Sequence, residues 1–349
     1  MDESKLCAHF REAAALPEGW SGDLHFINAQ GHKIRYAHAP ALRDNPRGTI
    51  IHRHGYGESI DLYHEAIRWY QTQGFDVWAY DLSGQGLSQG KKPNVDPRPR
   101  DTVHAVNDLD MFVKHVVKRV PGKPLIMSAH SLSGHSGLIY MQRHPGTFSG
   151  AIMSSPMFDI YRLGLPSIAR PVIRAVFQVA CMIGLKDVET PVTGYNSFID
   201  RIQKTSESLA KISLGEINYR GTVKRMLKKL DPARYGDRPT FGWINAAFKT
   251  IIPTLRRSFL RSINTPMLIG SAGALEDLVA TDAHDRVARI TGNAKVVHLP
   301  FAEHSLWHDR ESSYQQWLCH VAGFLDRIAP SHGQHLVLSS KSQSLRPLP

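Results

Sequence analysis

Residues 125–134 read LIMSAHSLSG, and this stretch decides the fold. An apolar run typical of a buried strand leads into a group of small residues centred on Ser131, and a helical pattern follows. A tight turn of this kind raises a serine hydroxyl above the edge of a sheet, and it requires small side chains two positions before and after the serine. Ala129 and Ser133 meet that requirement, although glycine is the usual residue at both positions. Ser131 is therefore the predicted nucleophile.

A second motif lies upstream, where residues 53–59 read RHGYGES directly after another predicted strand. A loop at this place supplies one backbone N–H group to a developing oxyanion, and the residue after the nucleophile supplies the other. The predicted donors are therefore the amides of Tyr56 and Leu132. His52 and His54 could suggest a metal site, but no third ligand is evident in the sequence and we expect no metal.

A serine hydroxyl is a weak nucleophile until a histidine accepts its proton. The base should follow the last strand of the sheet, because the chain order in this arrangement is serine, acid, histidine. Residues 300–305 form the loop in that place, with His304 at its tip, and we expect His304 to be the base. His308, one helical turn further on, is the alternative, whereas His298 lies inside the predicted strand and is interpreted as structural.

A carboxylate must orient that histidine, and three acidic residues are candidates. Glu276 follows the strand predicted at residues 267–271, and the apolar residues after it would anchor the loop while its carboxylate points inward. Asp277 is adjacent and remains an alternative, as does Asp159, which follows the strand predicted at residues 151–155. We favour Glu276.

Short apolar runs alternate with helical patterns along most of the chain, which is typical of an α/β fold with a mostly parallel sheet and helices on both faces. The predicted strands are residues 23–28, 33–38, 49–53, 75–80, 124–129, 151–155, 267–271 and 295–299, of which the first two form a hairpin. The predicted helices of the core are residues 60–73, 103–119, 133–143, 281–290 and 312–328.

The alternation stops between two core strands, where about a hundred residues have helical periodicity alone. The expected organisation is an N-terminal extension at 1–19, a catalytic core at 20–156 and 265–329, a helical cap at 157–264, and a disordered basic tail at 330–349.

Composition excludes several classes of protein. The 349 residues carry three scattered cysteines, which cannot form a disulfide framework and are typical of a reducing cytoplasm. No apolar run reaches the roughly 20 residues of a membrane span, and charges interrupt any signal peptide at the N-terminus. The expected location is the cytoplasm.

The net charge of +11 is concentrated in residues 161–262, which hold 18 Lys and Arg residues against 7 Asp and Glu residues. Such a segment could contact the anionic inner surface of a membrane, or it could be a solvated basic face. No nucleic-acid motif accompanies the charge, so no nucleic-acid partner is expected.

The sequence resembles the bacterial lysophospholipase and monoacylglycerol lipase branch of the α/β-hydrolases over roughly residues 20–328. The resemblance is carried by HGYGES at 54–59, DLSGQGLS at 81–88, AHSLSG at 129–134, and AEH at 302–304. It implies a lid over the nucleophile with an apolar channel for one acyl chain. It also implies that Glu276 is the catalytic acid, although the family often has aspartate there.

The expected function is therefore hydrolysis of carboxylic esters of single-chain lipids, of the lysophospholipid or monoacylglycerol type, through an acyl-enzyme and without a cofactor. A small-ester or peptide-type hydrolase on the same fold is the alternative among enzymes. A noncatalytic binding protein that retains the pocket is the alternative from another class.

Overall fold

The computed structural model describes residues 2–89, 102–160, 170–188, 216–232, 234–235, 239–273, 276 and 278–330. Within these ranges the strands form one eight-stranded sheet in the order β1-β2-β4-β3-β5-β6-β7-β8. The strands are β1 (Ser21–Ile27), β2 (Lys33–Ala39), β3 (Gly48–Arg53), β4 (Phe75–Tyr80), β5 (Leu125–His130), β6 (Gly150–Ser154), β7 (Met267–Ala272) and β8 (Ala294–Leu299). The strands β4, β3, β5, β6, β7 and β8 pair in parallel with their neighbours in that order. The pairings of β1 with β2 and of β2 with β4 are antiparallel. The predicted α/β class is confirmed.

The position of each strand explains its sequence. All residues of β3, β5, β6 and β7 are buried, and these strands read as nearly continuous apolar runs because helices cover both faces of the sheet. At the edge of the sheet most of β1 is exposed, and polar residues alternate there with apolar ones, of which Leu24 and Ile27 are exposed. The predicted opening hairpin is confirmed by the antiparallel pairing of β1 with β2.

Helices flank the sheet in the described part of the chain. They are α1 (Glu3–Ala14), α2 (His64–Thr72), α3 (Thr102–Met111), α4 (Leu132–Arg143), α5 (Arg170–Met182), α6 (Tyr219–Leu230), α7 (Phe241–Thr254), α8 (Arg257–Arg261), α9 (Asp282–Thr291) and α10 (Glu311–Ile328). The α-helical parts of two predicted helices, at 60–73 and 103–119, are shorter than expected. The first begins with a 3-10 turn at Ile60–Tyr63, and α3 continues into a π-helical turn at Phe112–Val116.

Helices α5 to α8 lie between β6 and β7, where the sequence predicts a helical insertion. Its α7 shares a hydrophobic core with the sheet through Trp243, Phe248 and Ile251. Basic residues on and after α6 form ion pairs with acidic residues outside the insertion, namely Arg220 with Glu65 and Glu311, Lys224 with Glu58, Arg225 with Glu303, and Arg234 with Asp61. Part of the basic charge therefore docks the insertion on the core.

The described helices include none that is long and apolar enough to cross a membrane. The predicted tail lies outside the described residues from position 331 onward.

Candidate active site

Ser131 occupies a sharp turn between β5 and α4. Its backbone has φ 50° and ψ −115°, a region that L-residues other than glycine rarely adopt. Such strain costs on the order of 1–3 kcal/mol and persists only where surrounding contacts enforce it. Here the Ser131 amide donates to the Ser154 carbonyl at 3.0 Å, and the Ser131 carbonyl accepts from Gly134 and Met157 at 2.9 Å. The turn holds the serine side chain at the carboxyl edge of the sheet.

His304 follows β8 and reaches the same edge. Its Nε2 lies 3.0 Å from Ser131 Oγ, and its Nδ1 lies 2.8 Å from Glu276 Oε2. An ionised carboxylate can only accept hydrogen bonds, so Nδ1 carries the proton of the neutral ring and Nε2 is free to accept the serine proton. The geometry is that required for a base acting on Ser131.

Glu276 follows β7, and its side chain is 1% exposed. Its Oε1 accepts hydrogen bonds from the amides of Leu278 at 2.9 Å and Val279 at 3.2 Å. Burial alone would raise the pKa of this carboxyl group, but the charge and hydrogen bond of His304 and the two amides outweigh it and lower the pKa. The carboxylate is therefore ionised at neutral pH, as an orienting acid must be.

Two of the alternative residues, Asp159 and His308, lie within the described part of the chain. The Asp159 carboxylate accepts from the amide of Ile160, and its backbone carbonyl accepts from Ala280, so Asp159 lies beside the Glu276 loop. Asp277 lies outside the described residues. His308 is buried and bonds through Nδ1 to Ser305 Oγ and through Nε2 to the Leu62 carbonyl.

His298 is also placed away from the serine. Its side chain is 54% exposed and pairs with Asp285 on α9.

The loop after β3 lies against Ser131. A Cβ atom added to Gly55 would stand 3.3 Å from Ser131 Cβ, so the backbone there approaches the serine as closely as glycine allows. Tyr56 follows in this loop, and Leu132 is the first residue of α4, whose leading amides have no partner within the helix. Both predicted oxyanion donors therefore adjoin Ser131.

His54 and Ser133 hold this loop in place. The Leu82 amide donates to His54 Nε2 at 3.0 Å, so Nδ1 is the protonated nitrogen and donates to the Gly55 carbonyl at 2.7 Å. The hydroxyl of Ser133 donates to the His54 carbonyl at 2.5 Å. Ser133 stands where glycine is usual in the turn around Ser131, and its hydroxyl thus tethers that turn to the loop after β3. His54 takes part in structural hydrogen bonds.

His52 also belongs to the interior. Its Nδ1 lies 3.0 Å from Ser128 Oγ, and burial lowers its pKa to about 3.

Beneath the loop lies a charged group that the sequence did not single out. Glu58 accepts hydrogen bonds from the Gly55 amide at 2.8 Å and the Tyr63 hydroxyl at 2.5 Å. Lys224 Nζ lies 2.5 Å from the other carboxylate oxygen, and His130 Nε2 lies 4.0 Å away. The motif HGYGES contained Glu58, but nothing in the local sequence identified a lysine in the insertion as its partner.

Aromatic residues of α7 lie beside the loop that carries Tyr56. Trp243 packs against Tyr56 with ring centroids 4.8 Å apart, and Phe248 of the same helix contacts Phe177. An arrangement with a serine, a histidine, a buried carboxylate and backbone donors can perform acyl transfer to the serine and then to water.

Comparisons with known proteins identify a family and several relatives of this chain. Residues 44–311 match the model of a hydrolase family described as "Serine aminopeptidase, S33". A monoacylglycerol lipase from Mycolicibacterium smegmatis is 32% identical over 117 residues, which are 34% of this chain and 40% of that protein, so the chain spans less than half of this relative's length. A protein named "Probable lysophospholipase L2" from Haemophilus influenzae is 21% identical over 84% of this chain and 88% of its own.

Among solved structures, a soluble variant of monoglyceride lipase from Saccharomyces cerevisiae, in complex with a substrate analog, has a TM-score of 0.66 at 17% identity. The similarity covers 91% of this chain and 97% of the yeast chain, and it supports the same fold.

Proposed function

Because the chain belongs to the hydrolase family described as "Serine aminopeptidase, S33", we propose that it is a serine hydrolase that cleaves carboxylic esters of single-chain lipids. The observation that carries the proposal is the continuous hydrogen-bonded series from Ser131 through His304 to Glu276. Relatives named monoacylglycerol lipase and lysophospholipase support an ester of a single acyl chain as the substrate.

In the proposed mechanism, His304 accepts the proton of Ser131 as the serine oxygen attacks the ester carbonyl. The amides of Tyr56 and Leu132 stabilise the oxyanion that forms, and Glu276 stabilises the protonated imidazole. The C–O bond to the alcohol then breaks, and His304 gives its proton to the leaving oxygen. Water, deprotonated by His304, attacks the acyl-enzyme and releases the carboxylic acid. No cofactor takes part in these steps.

A chain-length series tests the substrate class. We expect kcat/KM for nitrophenyl esters to rise from acetate to medium and long acyl chains, because Tyr56 and Leu132, the residues beside Ser131 in the proposed site, pack against a core that includes apolar residues of α7. Activity confined to acetate would indicate a small-ester hydrolase instead.

Because the family is described as an aminopeptidase family, the same experiment also measures the cleavage of aminoacyl nitroanilides. Turnover of these amides above that of every ester would contradict the lipid-ester proposal and indicate a peptidase. Ser131→Ala is the control in both arms, since it removes the proposed nucleophile.

We further propose that the cap contacts an anionic lipid surface, such as the inner face of the cytoplasmic membrane. One side of α5 packs inward through Phe177 against Phe241 and Phe248, whereas its other side exposes apolar residues. The exposed residues are Val172, Val176, Val179, Met182 and Ile183, from 55% to 78% exposed. An exposed apolar stripe on a basic segment suits a surface that is both apolar and negatively charged.

Vesicle sedimentation tests this contact. We expect binding to vesicles containing phosphatidylglycerol, weakened by high salt. Binding of the double variant Val179→Ser, Ile183→Ser should be roughly 30-fold weaker, because each apolar side chain contributes on the order of 1 kcal/mol when partly buried. Leu42→Ser, which removes an apolar residue 48% exposed outside the cap, is the matched control and should bind as the wild type does. Absent or salt-insensitive binding would contradict the proposal.

A further inference from the structure

The Glu58 carboxylate is the anchor of the loop that carries Tyr56. It is buried, and both of its oxygens are engaged, one by the Gly55 amide and the Tyr63 hydroxyl and the other by Lys224. Its position beside the nucleophile is close, because a Cβ atom on Gly55 would stand 3.0 Å from Glu58 Oε2 and 3.3 Å from Ser131 Cβ. Gly55 is thus held between the Glu58 carboxylate and the serine.

An ionised carboxylate at this depth needs a cation. Burial raises the pKa of Glu58, and the charge of Lys224 is the largest influence that lowers it again, with smaller contributions from His130, Lys228 and His308, so that the pKa lies well below its usual value. Buried charges of this kind are stable when they are paired and hydrogen-bonded. Lys224 therefore keeps Glu58 in the state that accepts both of its hydrogen bonds.

The same ammonium group also contacts the loop of the base. Lys224 Nζ donates to Ser305 Oγ at 3.0 Å, and Ser305 directly follows His304 in the chain. Ser305 is fixed in turn by His308 Nδ1 at 2.8 Å. The Lys224 side chain, which is only 13% exposed, thus bridges the loop that carries Tyr56, called here the oxyanion loop, and the loop that carries His304, called here the base loop.

We propose that Lys224 is a positioning residue for ester hydrolysis, holding the oxyanion loop through Glu58 and the base loop through Ser305. Docking of α6 on the core and correct geometry at Ser131 are therefore coupled through one ammonium group. This inference rests on the proposed function. It does not require Lys224 to touch the substrate.

The test compares Lys224→Met with Lys229→Met, which removes the same charge from an exposed position on α6. Active sites are first titrated with a fluorophosphonate, and kcat for nitrophenyl butyrate is expressed per titrated site. We expect Lys224→Met to lower kcat by roughly 10- to 100-fold with KM within about threefold, because small misplacements of catalytic groups have effects of this size. Lys229→Met should remain within about twofold of the wild type.

Two further variants separate positioning from folding. Lys224→Arg retains the charge and should recover most of kcat. The double variant Glu58→Gln, Lys224→Met leaves no uncompensated buried charge, and it should have a kcat similar to that of Lys224→Met alone if the pair acts as a unit.

Failure of the proposed ester hydrolysis and failure of the positioning role of Lys224 would give different results. If the wild type neither reacts with the fluorophosphonate nor cleaves the ester, the proposed function fails. If the wild type is active and Lys224→Met keeps its kcat per titrated site, the positioning role is overturned. Loss of titratable sites at an unchanged kcat per site overturns it as well, because that result describes a purely structural tether. Should Lys224→Met not fold, the double variant decides by the same two readings.

Discussion

Glu276 is in direct contact with His304. Its carboxylate lies 2.8 Å from Nδ1, is held by two backbone amides, and has a lowered pKa because these hydrogen bonds and the imidazole outweigh burial. Glutamate in place of the aspartate often found in similar hydrolases adds one methylene group, and the loop after β7 accommodates it.

Glu276→Gln tests the assignment of the acid. We expect kcat to fall by roughly 10³- to 10⁴-fold with little change in folding, because the amide no longer stabilises the protonated imidazole or fixes its tautomer. Asp159→Asn and Asp277→Asn test the alternatives and should each cost less than about tenfold, a small effect for a residue outside the catalytic series. The measurement is kcat on nitrophenyl butyrate together with circular dichroism. A larger loss in either aspartate variant than in Glu276→Gln would reassign the acid.

At this scale the sequence predicts the candidate residues that obey a local rule. Ser131 is predicted from its small neighbours, and His304 from its place after the last strand. Lys224 could not be predicted, because it belongs to a helix of the insertion that meets Glu58 only in the folded chain. Nor could the tether from Ser133 to His54 be predicted, since it depends on how closely α4 approaches the loop after β3.

At the scale of elements, the first turn of α4 sets the position of Ser131, the residue that precedes it. A Cβ atom on Gly134 would lie 2.4 Å from Pro156 Cβ and 3.0 Å from its Cα, so α4 packs against the chain leaving β6 without room for a side chain. The obstructing atoms belong to a proline and its backbone and cannot rotate away. Glycine is required there for packing, despite its low helix propensity.

Gly134→Ala should therefore destabilise the protein by about 1–3 kcal/mol, the usual cost of overpacking. Gly323→Ala is the matched control, since it also lies within a helix, α10, and the nearest atom to its added Cβ is 4.0 Å away. It should stabilise the protein by up to about 1 kcal/mol through helix propensity. The denaturant midpoint measures both. Equal effects of the two substitutions would show that the close contact with Pro156 is not a constraint.

The sequence predicted the strands of the sheet to within one or two residues, because strands buried on both faces are short apolar runs bounded by turn residues. The ends of helices were less predictable. The turn before α2 is a 3-10 turn capped by Ser59, whose hydroxyl also donates to the Asp61 carboxylate. Asp61 in turn pairs with Arg35 of β2 and with Arg234, contacts that local periodicity does not reveal.

For the molecule as a whole, buried histidines are one source of the response to acid. Burial lowers the pKa of His52 and His308 to about 3 and of His64 and His135 to about 4. In the unfolded chain a histidine has a pKa near 6.5, so the unfolded state binds protons that the folded state excludes. The stability contributed by the neutral rings is complete above pH 6.5 and is lost as the pH falls toward 4.

His135→Gln should reduce this pH dependence. Each such histidine contributes up to about 1.4 kcal/mol per pH unit to the slope of the free energy of unfolding between pH 6 and 4.5. Glutamine can keep a hydrogen bond to Thr250, which lies 2.9 Å from His135 Nε2. His25→Gln, at an exposed position on β1, is the control and should leave the slope unchanged. An unchanged slope in His135→Gln would mean that this histidine is protonated in the folded protein.

The ion pairs of the insertion account for part of its basic charge. The sequence placed an excess of basic residues in the insertion and suggested an anionic surface as their partner. In the structure Arg220, Lys224, Arg225 and Arg234 face acidic residues of the core, so these four charges hold the insertion in place. The proposed lipid contact therefore depends on the exposed apolar side of α5 together with the remaining basic residues.

Covalent labelling with a fluorophosphonate tests the role of Ser131 most directly, because the reagent reacts with a serine whose hydroxyl is activated by a neighbouring base. The proposed mechanism predicts one label per chain in the wild type, located on Ser131 by peptide mass spectrometry, and none in Ser131→Ala. Ser136→Ala is the control. It removes a buried serine hydroxyl from α4, the helix that follows Ser131, and it should be labelled as the wild type is. Equal labelling of the wild type and Ser131→Ala, or labelling of neither, would contradict the assignment of Ser131 as the nucleophile.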